Sequence, residues 1–281
     1  MNLGICHKCL KAVRIVQQSD AAMSERWGGV DKLKASLLKG LKLFTDDSLQ
    51  QYSSLDMTTL ANTYRMVELE AVEDWSTSAV MENYCFGRHL TLPDLHRVGA
   101  QVLVPKSEGD ELFALFFPIY RNFIKESRQT YQVVAAWTRH FYNTGQPLGA
   151  PWKYHSQSGV MLYDTALPTR AFGSAGGTGT LILVEGVADA LRLNKRGWLA
   201  VALGGKHLTA LNKVELINMP QYRVLIMLDK DALVQAVNLL NEVAAIKPKA
   251  GIVLIPQEDN ANDPSELDDA ALQTCLWEVA R

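Results

Sequence analysis

The stretch Leu181-Ile-Leu-Val-Glu185-Gly-Val-Ala-Asp189-Ala-Leu191 decides the fold expected for the last hundred residues of this 281-residue chain. Its four consecutive apolar residues predict a strand that is buried on both faces, and the segment after Gly186 predicts a helix. Glu185 directly follows the strand, and in sheets of this kind reactive groups gather at the carboxyl ends of the strands. Glu185 is therefore the first candidate for a functional residue.

The same pattern of a short apolar run followed by a helical segment continues toward the C-terminus. Strands are expected at residues 181–184, 199–203, 224–228 and 252–255, with helices at 189–196, 209–218 and 232–246. Continuous apolar strands separated by helices predict an α/β fold, in which a parallel sheet carries helices on both faces.

Two further acids follow the third predicted strand directly, as Asp229-Lys230-Asp231. Residues two apart in an extended segment point the same way, so both aspartates can address one ion. Hard carboxylate oxygens with room for water and phosphate suit Mg²⁺, or Mn²⁺ in its place. We therefore expect Glu185, Asp229 and Asp231 to form a metal site, although an acid at a strand end can also simply cap the next helix.

These residues resemble the motifs of Toprim domains, in the form found in bacterial and phage primases. Val184-Glu-Gly-Val-Ala-Asp189-Ala-Leu is similar to the first motif, and Leu228-Asp-Lys-Asp-Ala232 is similar to the Asp-x-Asp motif. The resemblance implies that Glu185 does acid–base work and that the paired aspartates hold Mg²⁺. Three residues are secondary members of the matched motifs: Asp189, Gly204 after the second strand, and Asp263 in an Asn-Asp-Pro-Ser segment that lacks the family's lysine.

Segments upstream resemble the catalytic core of DnaG-type DNA primases. They are Tyr84-Cys-Phe-Gly-Arg88-His-Leu, Phe116-Phe-Pro-Ile119 and Trp152-Lys153-Tyr-His-Ser156. Their order extends the resemblance over residues 84–269. In that family, cations in the first and third segments line a groove for nucleic acid and nucleotide phosphates. The resemblance thus implies that Arg88 and Lys153 bind phosphates, and we add Lys230, between the two aspartates, as a third nucleotide-binding candidate.

Three regions are expected along the chain. Residues 1–95 form a mostly helical N-terminal region, because apolar residues recur at helical spacing in segments 24–43 and 60–84. Residues 96–178 form an α+β region similar to the primase core, with strands near 100–104, 112–120 and 131–137. Residues 179–281 form the Toprim-like α/β domain.

A pair of cysteines, Cys6 and Cys9, lies near the start of the chain. A structural zinc needs four ligands, and this pair supplies two, like half of the zinc ribbon found in primases. Cys85 and His89 have a Cys-x3-His spacing, but they fall within the segment that resembles the primase core. The pair alone therefore does not predict a complete zinc site.

The charge of the chain changes from its front to its end. Residues 1–50 carry eight Lys or Arg against five Asp or Glu, whereas residues 251–281 carry one against seven. A basic front suits contact with a polyanion, although local fluctuations of a normal surface give similar numbers. No apolar run is long enough to span a membrane, so a cytoplasmic protein is expected.

Together these features favour a Mg²⁺-dependent primase-like nucleotidyltransferase of phage or mobile-element type, which synthesises RNA primers. The resemblance implies single-stranded DNA, nucleoside triphosphates and a replicative helicase as partners, and no membrane. Two alternatives use the same fold. One is a Toprim nuclease that cleaves phosphodiesters with the same carboxylates, and the other is a nucleic-acid-binding protein that has lost efficient catalysis.

Overall fold

The computed structural model describes residues 55–72, 75–125, 128–142, 152–156, 162–164, 179–217, 219, 222–257 and 259–280. The cysteine pair Cys6 and Cys9 and the helix expected at 24–43 lie outside these residues. The described chain separates into two compact units, each built around its own five-stranded sheet. No described helix is long and apolar enough to cross a bilayer.

The described helices and strands alternate in clusters along the chain. The helices are α1 (Thr58–Thr63), α2 (Trp75–Gly87), α3 (Leu92–Arg97), α4 (Val187–Lys195), α5 (Ala210–Ile217), α6 (Leu233–Ala244) and α7 (Asp269–Ala280). The strands are β1 (Tyr64–Glu68), β2 (Gln101–Pro105), β3 (Glu111–Lys125), β4 (Arg128–Tyr142), β5 (Trp152–Ser156), β6 (Tyr163–Asp164), β7 (Thr180–Val184), β8 (Leu199–Ala202), β9 (Arg223–Ile226) and β10 (Gly251–Ile252). Two short 3₁₀ helices span Leu69–Ala71 and Pro264–Glu266.

The first sheet is an antiparallel meander with the order β1-β2-β3-β4-β5. The strands expected near 100–104, 112–120 and 131–137 are confirmed as β2, β3 and β4. The helix expected over 60–84 is wrong in its middle, because residues 64–68 form β1 and pair with β2. This unit takes in residues 52–159 and 164–169, and the division of the chain at residues 95 and 178 stays a prediction.

A hydrogen-bonded network of buried and half-buried polar groups joins four strands of the first sheet. The Thr138 hydroxyl lies 2.9 Å from both His140 Nε2 and His155 Nε2. His140 Nδ1 contacts the carboxylate of Glu111, and Tyr64 donates its hydroxyl proton to the other oxygen of that carboxylate at 3.0 Å. Because these residues come from β1, β3, β4 and β5, this network of hydrogen bonds helps to hold β5 at the edge of the sheet.

The second sheet has the order β10-β9-β7-β8-β6, and its pairings β10–β9, β9–β7 and β7–β8 are parallel. The four parallel strands confirm the α/β pattern expected from residues 181–255. All five residues of β7 are buried. A central strand without an exposed face needs cover on both sides of the sheet, which explains its unbroken apolar sequence.

Candidate functional site

The parallel register brings Glu185 and Asp229 to the same edge of the second sheet. Leu183 in β7 pairs with Ile226 in β9, and Met227 N–H donates to the Leu183 carbonyl at 2.8 Å. Glu185 comes two residues after Leu183, and Asp229 comes three after Ile226. Both acids therefore lie just past the carboxyl ends of neighbouring strands, where an α/β sheet places its functional groups.

The backbone of Glu185 is held by the turn that follows β8. Gly204 N–H donates to the Glu185 carbonyl at 2.9 Å, which extends the parallel ladder beyond the strand. Gly204 and Gly205 have φ angles of 70° and 156°. Residues other than glycine rarely adopt the φ angle of Gly205. The Gly-Gly pair therefore allows the sharp turn that brings Lys206 back to the sheet edge.

Two carboxylate oxygens at this edge have no hydrogen-bond partner. Glu185 Oε2 and Asp229 Oδ1 are both buried atoms, and no described group donates to either of them. Buried polar atoms are normally satisfied, so each orphaned oxygen in a native structure needs a physical reason. A bound cation would give both oxygens a partner.

Lys206 is the cation that the fold itself brings to these acids. Its Nζ donates to Asp231 Oδ1 at 3.0 Å and lies 3.7 Å from Glu185 Oε2, which is an ion-pair distance but too long for a hydrogen bond. No sequence motif singles out Lys206. The available signal was its position four residues after β8, in the turn that begins Gly204-Gly205.

The environment raises the pKa of both buried acids. Burial raises the pKa of Asp229 to about 7, and the charges of Glu185 and Asp263 add to this effect. Burial also raises the pKa of Glu185, while Lys206 opposes the shift and Asp231 reinforces it. Burial acts to lower the pKa of Lys206, but its hydrogen bond to Asp231 and the charge of Glu185 outweigh burial and raise it. The site is therefore short of positive charge.

Asp231 differs from the geometry expected for an extended Asp-x-Asp segment. Residues 230 and 231 form a turn, which Ala232 N–H closes by donating to the Asp229 carbonyl at 2.9 Å. Asp229 is half-buried, whereas the side chain of Asp231 is 81% exposed and is held by Lys206. The two aspartates thus meet different environments, although they are two residues apart.

Lys230 is engaged within its own unit. Its backbone N–H donates to the Asn262 carbonyl at 2.7 Å, and its ammonium donates to the Asp259 carbonyl. These bonds tie the Asp229–Asp231 turn to the loop that leads into the last 3₁₀ helix. Lys230 therefore supports the turn, and its nucleotide-binding role stays a prediction.

The secondary motif residues Asp189 and Asp263 stabilise the backbone around the acids. Asp189 accepts hydrogen bonds from Gly186 N–H at 3.0 Å and from Ser265 N–H at 3.1 Å. Asp263 caps the 3₁₀ helix Pro264–Glu266, because its Oδ1 accepts from both Ser265 and Glu266. Asp263 also acts on the site electrostatically, since its charge raises the pKa of Asp229.

The acidic edge has the chemistry of a Mg²⁺ site, but its carboxylates are not drawn tightly together. Within the described ranges, no three Asp, Glu, His or Cys side chains converge closely enough to surround an ion. Two buried oxygens that accept no hydrogen bond and an adjacent exposed carboxylate are nevertheless the hard donors that Mg²⁺ accepts. The donor atoms present are therefore of the kind that binds Mg²⁺. The Lys206 ammonium forms ion pairs with both Glu185 and Asp231 at this place.

The first sheet carries a cationic and aromatic surface on one face of β4 and β5. The Arg139 guanidinium lies 5.2 Å from the centre of the Trp152 ring, and the Trp137 ring packs 4.7 Å from Tyr154. Burial lowers the pKa of Arg139, and the nearby charge of Arg88 lowers it further. Arg139 Nε is buried without a hydrogen-bond partner. A second cation next to a partly desolvated guanidinium favours an anionic ligand at this surface.

The structure brings Arg88 to Arg139 and places Lys153 elsewhere. Lys153 alternates with Trp152 and Tyr154 along β5, so its exposed side chain leaves the sheet on the face of Thr138 and His155. Sequence reasoning missed Arg139 because a single arginine in a strand has no signal of its own. The pairing of Arg139 with Trp152 across β4 and β5 reveals it.

The cysteines add no metal site within the described chain. Cys85 is buried and is not part of a disulfide, while His89 lies exposed in the turn after α2. Cys6 and Cys9 are outside the described residues, so the zinc-ribbon hypothesis stays a prediction.

No protein-family model matches this chain, and no curated protein matches it. Solved structures do. The RNA polymerase domain of Mycobacterium tuberculosis primase DnaG matches 83% of this chain over 84% of its own length, with a TM-score of 0.54 and 14% identity. The Aquifex aeolicus primase structure, with its zinc-binding and RNA polymerase domains, matches 85% of this chain, with a TM-score of 0.51 and 18% identity. This chain spans 62% of the Aquifex structure. At these identities the likeness is one of fold, and the chain has a fold similar to the RNA polymerase domains of DnaG-type primases.

Proposed function

We propose that this chain is a Mg²⁺-dependent, primase-like nucleotidyltransferase with a Toprim-type catalytic domain, of the kind that phages and mobile elements carry. Its reaction would join ribonucleotides on a single-stranded DNA template to make an RNA primer. The observation that carries this proposal is the pair of buried oxygens of Glu185 and Asp229, neither of which accepts a hydrogen bond, at the carboxyl edge of a parallel sheet. The primase-like fold and the Toprim-like motifs around these two acids support it.

Glu185, Asp229 and Asp231 are the residues that would hold Mg²⁺. When bound, the ion would neutralise the triphosphate and stabilise the charge that develops on the leaving pyrophosphate. Asp229, with a pKa of about 7, is partly protonated in the metal-free chain near neutral pH and must lose that proton to act as a ligand. Asp263 and Asp189 hold the surrounding backbone, so their role is to position the acids.

The unit that contains the first sheet would contribute nucleic-acid binding through Arg139, Arg88 and Trp152. Phosphate contacts dominate the affinity of such surfaces without reading sequence, and an aromatic ring can stack on any base. Arg139 lies over Trp152 and beside Arg88, so a phosphate and a base could bind side by side. Lys153, exposed on the other face of β5, would contribute by charge alone.

Primer synthesis tests the proposal directly. Purified protein is incubated with single-stranded DNA, labelled ribonucleoside triphosphates and MgCl₂, beside reactions that contain EDTA or Asp229→Asn protein. Short labelled RNA products that need template, metal and Asp229 are expected. Cleavage of the DNA without synthesis would instead indicate the nuclease alternative, and binding without either reaction would indicate the binding-protein alternative.

Arg139→Met is expected to weaken binding to a single-stranded oligonucleotide by about tenfold, because it removes one phosphate contact and a cation beside a stacking ring. Methionine keeps much of the apolar contact with Trp152, which limits the effect on folding. The slope of log Kd against log salt should fall by about one. Fluorescence anisotropy over a salt series measures both quantities.

Arg65→Met is the matched control for this experiment. Arg65 is exposed on β1, at the opposite edge of the same sheet from β5. Equal losses in the two variants would mean that binding follows net charge alone, and the Arg139 surface would then have no special role.

A further inference from the structure

We propose that Lys206 is a built-in counter-ion of the catalytic acids, which holds the metal-free site together and competes with the divalent cation for Glu185 and Asp231. The inference rests on the proposed function, because it concerns the same site, and it gives that site a regulatory property. Metal loading would then be an exchange of one cation for another.

The position of Lys206 carries the first step. Its ammonium is 3.0 Å from Asp231 Oδ1 and 3.7 Å from Glu185 Oε2, and so it lies between two of the three candidate metal ligands. The Gly204-Gly205 turn brings it there, and the Gly204 N–H bond to the Glu185 carbonyl fixes that turn to the neighbouring strand. The backbone that carries Lys206 is therefore fixed next to the acids by a short turn.

The charge balance of the site carries the second step. The charges of Asp231 and Asp263 raise the pKa of both Glu185 and Asp229, whereas the charge of Lys206 lowers both. The ammonium of Lys230, the nearest lysine in sequence to the aspartates, donates a hydrogen bond to the Asp259 carbonyl. Without Lys206, Glu185 and Asp229 would lose a positive charge that favours their ionised forms.

A divalent ion that binds Glu185 and Asp231 must meet or displace the Lys206 ammonium. The Lys206 ammonium and a divalent ion bound to the same carboxylates would repel each other strongly where solvent is partly excluded. Lys206 should therefore weaken metal binding. The same ammonium stabilises the metal-free fold by pairing with the acids. Removing its charge is therefore expected to change metal affinity and metal-free stability in opposite directions.

The test uses Lys206→Met in the full chain, with Mn²⁺ alone as the probe. Titration followed by the electron paramagnetic resonance signal of free Mn²⁺ should show about tenfold tighter binding than in the wild type. In EDTA, the Tm of the variant should be about 2–4 °C lower than that of the wild type. Saturating Mn²⁺ should close this gap. Neither readout requires catalysis.

Lys213→Met is the matched control, because Lys213 pairs with Glu242 at 2.7 Å on a different part of the same unit. It should leave Mn²⁺ affinity within about twofold of the wild type, since a partly exposed pair outside the site is worth little. Lys206→Arg keeps the charge and should retain the competition. If Lys206→Met does not fold, Lys206→Gln removes the same charge with a polar side chain and carries the same expectation.

The outcomes separate this inference from the proposed function. If Asp229→Asn weakens Mn²⁺ binding but the neutral variants of Lys206 bind Mn²⁺ no more tightly than the wild type, the metal site stands and the counter-ion role is wrong. If wild-type and Asp229→Asn proteins bind Mn²⁺ equally weakly, the metal site falls and the inference falls with it. Tighter Mn²⁺ binding together with a lower metal-free Tm supports it.

Discussion

Asp229→Asn is expected to reduce Mg²⁺-dependent primer synthesis at least about a hundredfold, because it removes a central charged ligand from the proposed site. The same change should make the metal-free protein more stable near neutral pH. The two effects have one cause, since the half-buried carboxylate that would bind a cation is costly to ionise in its absence.

The sign of the stability effect follows from the pKa of Asp229. It is about 7 in the folded chain and 3.8 in the reference state, so between these values the folded chain binds the proton more tightly than the unfolded chain. The contribution of Asp229 to the free energy of unfolding therefore falls as pH rises from about 4 to 7. The full difference corresponds to at most about 4 kcal/mol. Solvent screening of a half-buried group reduces the expected loss to about 1–2 kcal/mol.

Urea unfolding in EDTA at pH 5 and pH 7.5 measures this contribution. The wild type should lose more stability between the two pH values than Asp229→Asn does, and Mg²⁺ should restore stability in the wild type alone. Asp231→Asn is the control, because Asp231 is exposed and ion-paired with Lys206. It should lose activity without gaining stability. If the stability of the wild type and that of Asp229→Asn changed equally with pH, the raised pKa of Asp229 would be contradicted.

Asp189→Ala is expected to destabilise the α/β unit by about 2–3 kcal/mol. Asp189 is 3% exposed, and its two oxygens accept from Gly186 and from Ser265, which is 76 residues away in the sequence. The alanine variant would leave the Gly186 N–H without its partner and deprive Ser265 of one of two acceptors. A buried donor left unsatisfied costs about 1–3 kcal/mol. That is a large part of the stability of an ordinary domain.

Asp268→Ala provides the matched control for Asp189→Ala. Asp268 also accepts a backbone hydrogen bond, from Ala271 N–H at 2.7 Å, but it is exposed to solvent. Its removal should cost about 1 kcal/mol or less, because water can replace the lost acceptor. Urea unfolding of both variants makes the comparison. Equal losses would show that the burial of Asp189 and its long-range bond to Ser265 do not matter.

The same geometry explains why residue 186 is glycine. A Cβ at this position would lie 2.9 Å from Asp189 Oδ2. Because both oxygens of Asp189 are engaged, the carboxylate cannot move away without breaking a bond. The Glu-Gly-x-x-Asp spacing is therefore a packing requirement of the strand-to-helix turn as well as a recognisable motif.

The local pattern of the sequence was enough to predict most of the α/β unit. The buried strand at residues 181–184, its neighbours and their parallel pairing follow from unbroken apolar runs separated by helical segments. Because parallel strands end at a common edge, the meeting of Glu185 with Asp229 was predictable too. A strand buried on both faces has few alternatives, so its residues specify it locally.

Only the tertiary structure decided the rest. Residues 64–68 lie in a segment with helical spacing, yet they form β1, because pairing with β2 outweighs a weak local preference. Lys206 and Arg139 have no motif of their own, and they become candidates through neighbours that are distant in sequence, Asp231 and Trp152. Asp231 turns outward because Ala232 closes a turn onto the Asp229 carbonyl. Charge pairing and burial depend on which segments meet in space, and a pattern along the chain does not contain that information.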